Sequence, residues 1–198
     1  MNKTVIALGC VAALGLSAAV GASAASRQPE ISSAALTSAD MANLRYAADR
    51  AEIENLQARY LFALDWQDPD AYASTFAPEG VLDWAGGVVN GREAIRKEVV
   101  GMRATFVKRA ADEAPKRPSR LRHMITSVVL KIDGDRATGR AYWFEIDNNT
   151  STRAPIVSGY GHYDDELRKV DGHWLFTRRR INNEVMDSRA ASMTNPAW

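Results

Sequence analysis

The chain has 198 residues, 46% of them hydrophobic and 25% charged, with a formal net charge of +1. That length allows one domain with a sizeable core, and the composition is that of an ordinary soluble globular protein. The near-neutral balance and the lack of a patterned aromatic–basic stretch exclude nucleic acid as an expected partner; the cluster KRPSRLR (116–122) reads as a solvated loop and strand start rather than a phosphate site.

Residues 1–25 have the pattern of an export signal. Lys3 precedes an apolar run from Val5 to about Val20, and Ala22-Ser23-Ala24 forms a small-x-small cleavage site. The run is short and rich in Gly and Ala, so no stable membrane span is expected. Cleavage would deliver a periplasmic or secreted protein, bring the formal charge to zero by removing Lys3, and remove Cys10, the single cysteine. A lipoprotein anchored through Cys10 is a minor alternative, because the apolar segment before it is too short. Residues 26–44 read as a linker or a leading short helix.

From Asp49 the pattern sharpens. Ile53, Leu56, Tyr60 and Leu64 recur at three- and four-residue steps and predict an amphipathic helix ending near Asp65. Asp68-Pro69 predicts a helix restart, with Asp68 as the cap, running to about Phe76. GVLDWA (80–85) is a short strand. Asn90 with Glu93 three residues later suggests a capping box opening a third helix over 90–110. A proline-containing loop (111–119) leads to four strands, 120–132, 136–147, 156–170 and 173–181, the last two joined at Asp171-Gly172, a hairpin signal. Helices followed by a curled antiparallel sheet make an α+β plan. A tail without periodicity follows at 184–198. One strand conflicts with itself: Val128, Leu130 and Ile132 share a face, while His123 and Ile125 have the opposite parity. Either both faces are buried near residue 123 or a bulge switches the register.

The segments ADRAEIENLQARYLFALDWQDPDAYASTFAPEGVLDW, GREAI, RHMITSVVLKIDGDRATGRAYW and GYGHYDDELRKVDGHWLFTRRRI resemble the SnoaL-like branch of the nuclear transport factor 2-like superfamily, over about residues 45–183. The resemblance implies a cone-shaped α+β barrel, with N-terminal helices packed on a strongly curved, mostly antiparallel sheet around a pocket. It also implies a homodimer or homotrimer. In the cofactor-free dehydratases and halide-eliminating lyases of that branch, an Asp near the end of the first helix supports a His on the strand after the third. Asp65 and His123 match those positions, and Tyr60 matches a tyrosine five residues before the Asp. Ser127, Glu145 (or Asp147) and Arg179 (or Arg180) fall at less defined pocket positions. Ser127 departs from the Asn often found there.

The chain has three histidines. His173 follows a turn and is expected in solvent, and His162 is expected to alternate outward. Tyr160 or Tyr163 could reach the pocket. His123 alone has a candidate partner. An imidazole can take a proton from an activated C–H or give one to a leaving hydroxyl, and a carboxylate on its other nitrogen fixes the tautomer. The plain alternative is a core histidine and a helix-terminal aspartate, although a carboxylate there opposes the helix dipole. Tyr60 could bind a substrate oxygen or simply pack. Trp66, Trp84, Trp143, Met102 and Phe106 are core or pocket residues suited to a flat apolar ligand. The DDE run (164–166) reads as a solvated face. No metal, nucleotide or flavin motif is present, so no cofactor is expected. The sequence thus points to a cofactor-independent lyase acting on a small hydroxylated aromatic, polyketide-like or steroid-like compound, by loss of water or retro-aldol loss of formaldehyde. A non-catalytic ligand-binding module, or an isomerase or epoxide hydrolase relying on carboxylates, are the rival readings.

Overall fold

The computed structural model describes residues 35–113 and 119–198. The expected export segment, the Cys10 alternative and residues 26–34 lie outside them. The first helix, α1 (Ser38–Asp65), begins earlier than the apolar pattern suggests. Its start is a capping box: Thr37 Oγ1 accepts from the Asp40 N–H at 3.1 Å, and the Asp40 carboxylate accepts from the Thr37 N–H at 2.9 Å. Leu36, Met41, Leu44 and Tyr46 are exposed there, whereas Ile53, Leu56, Tyr60 and Leu61 are buried. Among the described residues, no helix is long and apolar enough to cross a membrane.

Gln67, with φ of 54°, turns the chain out of α1. Asp68 then caps α2 (Pro69–Ser74), accepting from the N–H groups of Asp70 and Ala71. α2 stops at Ser74 because Phe76 already starts β1 (Phe76–Trp84). β1 folds back on β2 (Gly87–Asn90), where Asn90 pairs with Val81. This corrects the expected capping box. Asn90 belongs to the ladder, and α3 (Arg92–Asp112) starts instead from Gly91, held at φ of 88° by its N–H bond to the Gly80 carbonyl, with no side-chain cap.

β3 (Leu121–Asp133), β4 (Arg136–Asp147), β5 (Ile156–Val170) and β6 (His173–Asn183) complete the sheet, in the order β2-β1-β6-β5-β4-β3. Every pairing is antiparallel except β1 with β6. The conflict in β3 is a bulge. Register shifts between Thr126 and Val129, and Ser127 sits at φ of 54°. Ile125 before it, and Val128, Leu130 and Ile132 after it, therefore all meet the core.

Register also decides the fate of several polar residues. Asp165 pairs with Arg179 across β5 and β6, on the inner face. Both side chains are fully buried, joined by bonds of 2.8 and 2.6 Å, and the guanidinium lies against the rings of Tyr60, Tyr163 and Phe176. The acidic run is thus not wholly a solvated face. His162 is buried rather than outward, with Nε2 at 3.0 Å from Asn182 Nδ2. Tyr160 is exposed and Tyr163 lies in the core. His173 is in solvent, with its side chain 80% exposed.

Candidate active site

α1, β3 and β4 meet at one point. Asp65 ends α1, and His123 pairs directly with Glu145 across β3 and β4. The Asp65 carboxylate faces the start of β3 and accepts three bonds from His123: the backbone N–H reaches both oxygens, at 3.0 and 3.2 Å, and ring Nδ1 lies 2.7 Å from Oδ1. Those donors offset the unfavourable place of a carboxylate at a helix C-terminus. On the other side of the ring, Nε2 lies 3.1 Å from Glu145 Oε2. Ser158 donates its hydroxyl to Glu145 Oε1 at 3.0 Å. The imidazole is thus held between two carboxylates, with its side chain 12% exposed.

Electrostatics follow from that arrangement. Burial works against charge on the ring, but the hydrogen bonds and charges of Asp65 and Glu145 outweigh it and raise the His123 pKa to about 9. The hydrogen bond from His123 holds the Glu145 carboxyl below its ordinary value despite its burial. Near neutral pH, His123 is an imidazolium beside an ionised Glu145.

The triad forms part of the wall of a cavity of about 230 Å³. Trp143 and Tyr60 lie along the sheet and α1 sides, Leu82 and Trp84 come from β1, and Met102 and Phe106 come from α3. Tyr60 and Tyr72 share a hydrogen bond between their hydroxyls at 2.8 Å. Burial raises both phenol pKa values, so both stay neutral. Among the described residues, no cluster of three or more His, Cys, Asp or Glu side chains is arranged to hold a metal ion.

Asp65, His123, Tyr60, Trp84, Met102, Phe106, Trp143 and Glu145 all line this cavity. Three expected members do not. Trp66 points outward, 60% exposed and stacked on Phe62, because α1 has ended and the next residue turns the chain away. Ser127 is exposed at the apex of the β3 bulge. Arg179 is locked beneath Tyr60 by Asp165. Asp147, the alternative to Glu145, accepts from the Asn149 N–H in a turn instead. Tyr72 and Asn183 also line the cavity and were not anticipated. Tyr72 sits on a helix of six residues with no readable periodicity, and Asn183 extends β6 two residues past the expected end.

A helical layer closing a curved, mostly antiparallel sheet, with an Asp–His pair buried beside an apolar cavity, defines the architecture of the small α+β cone proteins. The SnoaL-like domain model matches residues 45–180, and the chain belongs to the SnoaL-like family. Its solved structural relatives have the same fold. Rv3472 of Mycobacterium tuberculosis, a protein of unknown function, is 27% identical with a TM-score of 0.61, over 81% of this chain and 84% of that one. A provisionally assigned scytalone dehydratase from Novosphingobium aromaticivorans is 24% identical with a TM-score of 0.57, over 71% and 87%. LinA is 21% identical with a TM-score of 0.59, over 72% and 90%.

Proposed function

We propose that the protein is a cofactor-independent lyase that eliminates water from a small, largely apolar, hydroxylated ring compound. The observation that carries this reading is the Asp65–His123–Glu145 line, with distances of 2.7 and 3.1 Å, beside an apolar cavity. The raised His123 pKa and the lowered Glu145 pKa support the following roles. Glu145, ionised, takes the proton from the substrate C–H. His123, as imidazolium, gives its Nε2 proton to the departing hydroxyl, which leaves as water while the C–C double bond forms. The proton on Glu145 then passes back to Nε2, and the site is restored. The expectation from the resemblance lets His123 serve as base and as acid; here it keeps the acid's part and Glu145 takes the base's. Asp65 holds the ring and stabilises its charge, and the Tyr60–Tyr72 pair binds a substrate oxygen.

The test is a panel of hydroxylated alicyclic and aromatic compounds incubated with the purified protein and followed by mass spectrometry. Loss of water is the expected change; loss of formaldehyde would reveal the retro-aldol variant. His123→Ala and Glu145→Gln, each with an unchanged circular dichroism spectrum, should lower turnover by roughly 10²- to 10⁴-fold. Full turnover in His123→Ala would refute the assignment and leave the carboxylates to carry the elimination. Tight binding of panel compounds with no change in mass or chromatographic retention would identify a binding module, and a change in retention at constant mass an isomerase.

A further inference from the structure

A second cavity, of about 310 Å³, adjoins the first. Asp65, Gln67, Phe106 and Leu121 line both and form the partition between them. The outer cavity differs from the inner one in charge, because Arg120 and Arg122 line it. The Arg122 guanidinium lies 4.0 Å over the ring of Trp66, and its Nη1 donates to the carbonyls of Leu121 and Asp65 at 2.6 and 3.3 Å. The Arg120 Nη1 donates to the Ser119 carbonyl at 3.0 Å. Among the described residues neither guanidinium meets a carboxylate within ion-pair distance. The two carboxylates that line this cavity are engaged elsewhere. Asp65 is taken by His123, and Glu113 by Arg153 at 2.8 Å and by the Ser119 N–H at 3.0 Å.

Among the described residues, two cations without a carboxylate partner therefore line this cavity, one of them braced on a tryptophan and on backbone carbonyls. A guanidinium's remaining N–H groups are of the kind that receive the planar fork of a carboxylate or the face of a phosphate or sulfonate. Bracing lowers the ordering cost of binding. It also accounts for Trp66, whose exposed ring serves as the platform for Arg122.

We propose that the outer cavity seats an anionic group of the ligand, so that the substrate is an organic acid: an apolar ring body in the inner cavity with a carboxylate or comparable oxyanion reaching past Phe106 and Gln67 to Arg120 and Arg122. This rests on the reading of the inner cavity as the substrate site.

Two fluorescent probes that differ by one sulfonate test it: anilinonaphthalene sulfonate and its uncharged parent, phenylnaphthylamine. The full chain should bind the sulfonate the more tightly, by about tenfold, with a preference that shrinks as salt is added. The neutral probe should displace it, since both ring systems share the inner cavity. In the Arg120→Gln/Arg122→Gln double variant the sulfonate should weaken by about tenfold while the neutral probe changes by less than about twofold. The corresponding Lys pair should retain most of the preference. Equal affinities in the unaltered protein, equal losses of both probes in the Gln pair, independent binding of the two probes, or binding of neither would each overturn the proposal. Probe binding does not depend on turnover. An anion preference without turnover of any panel compound would sink the lyase reading and leave the anion seat standing. Turnover without the preference would do the reverse.

Discussion

His123 carries a charge that the fold itself maintains. Its pKa stands at about 9, against an ordinary value of 6.5, because Asp65 and Glu145 flank it. A group whose pKa is raised on folding contributes stability that is complete below its unfolded value and is lost as pH rises through its folded value. Stability should therefore decline between pH 6.5 and 9, by roughly 3 kcal/mol at most. The check is the urea midpoint measured across that window. The unaltered chain should show the decline and His123→Ala should flatten it; a slope of the same size in both would assign the decline to other groups. The same titration predicts that turnover falls on the alkaline side as the imidazolium loses its proton, and on the acid side as Glu145 gains one. The Asp65–His123 contact was legible through the family resemblance, which matches an acid at the end of the first helix and a histidine on the strand after the third to these two positions; the helical pattern alone marked only where the helix ends. Arg179 was not. Within the run Arg178-Arg179-Arg180, neighbouring guanidiniums differ only in which strand face they take, and the β5–β6 register that buries Arg179 against Asp165 is a tertiary fact.

At the level of elements, local chemistry was legible where the chain itself supplies the partner. Asp68-Pro69 states a helix start, and the Asp68 side chain does accept from two N–H groups of α2. Asn90 and Glu93 state one equally well, yet Asn90 is drawn into the β1–β2 ladder and caps nothing. Sheet pairing outcompetes a local signal worth only about 1 kcal/mol. The first turns of α1 left no amphipathic trace because apolar residues there, such as Leu44 and Tyr46, stay exposed. The parity break in β3, by contrast, was readable as one of two things, burial of both faces or a bulge, and the register shift makes it the bulge. The two apparent caps give a paired prediction. Asp68→Ala should destabilise the protein by about 1 kcal/mol, seen as a lower Tm. Asn90→Ala, at an exposed edge position, should cost less than about 0.5 kcal/mol. Equal costs would mean that the cap bonds at Asp68 contribute nothing particular. Because α2 also carries Tyr72 to Tyr60, Asp68→Ala should loosen the cavity wall and weaken the neutral probe along with stability.

The whole molecule is tied together by contacts that no sequence window spans. The tail after β6 shows no periodicity, but it is anchored. Arg189 Nη1 meets Asp83 Oδ1 at 2.5 Å, Arg189 Nη2 donates to the Trp84 carbonyl, and the Arg189 carbonyl accepts from the Asn183 N–H at 2.9 Å. Asp83 is 5% exposed and also accepts from Arg178 at 3.1 Å. Burial pushes its carboxyl pKa up, but the bonds from Arg189 and Arg178 override that and hold it below the ordinary value. The anchor lies where β1 and β6 run parallel and beside Trp84 and Asn183, two residues that line the inner cavity. The tail therefore braces the cavity wall from behind. Arg189→Ala would leave Asp83 buried with one cation instead of two, and should lower stability by about 1–3 kcal/mol. In an Asp83→Asn background the same substitution should cost clearly less, because the charge it serves is gone. Urea unfolding of the four proteins in that cycle measures the coupling. A cost that is equal in the two backgrounds would show that the tail is held by its backbone bonds, and the Arg189–Asp83 pair would then be incidental to the wall that Trp84 forms.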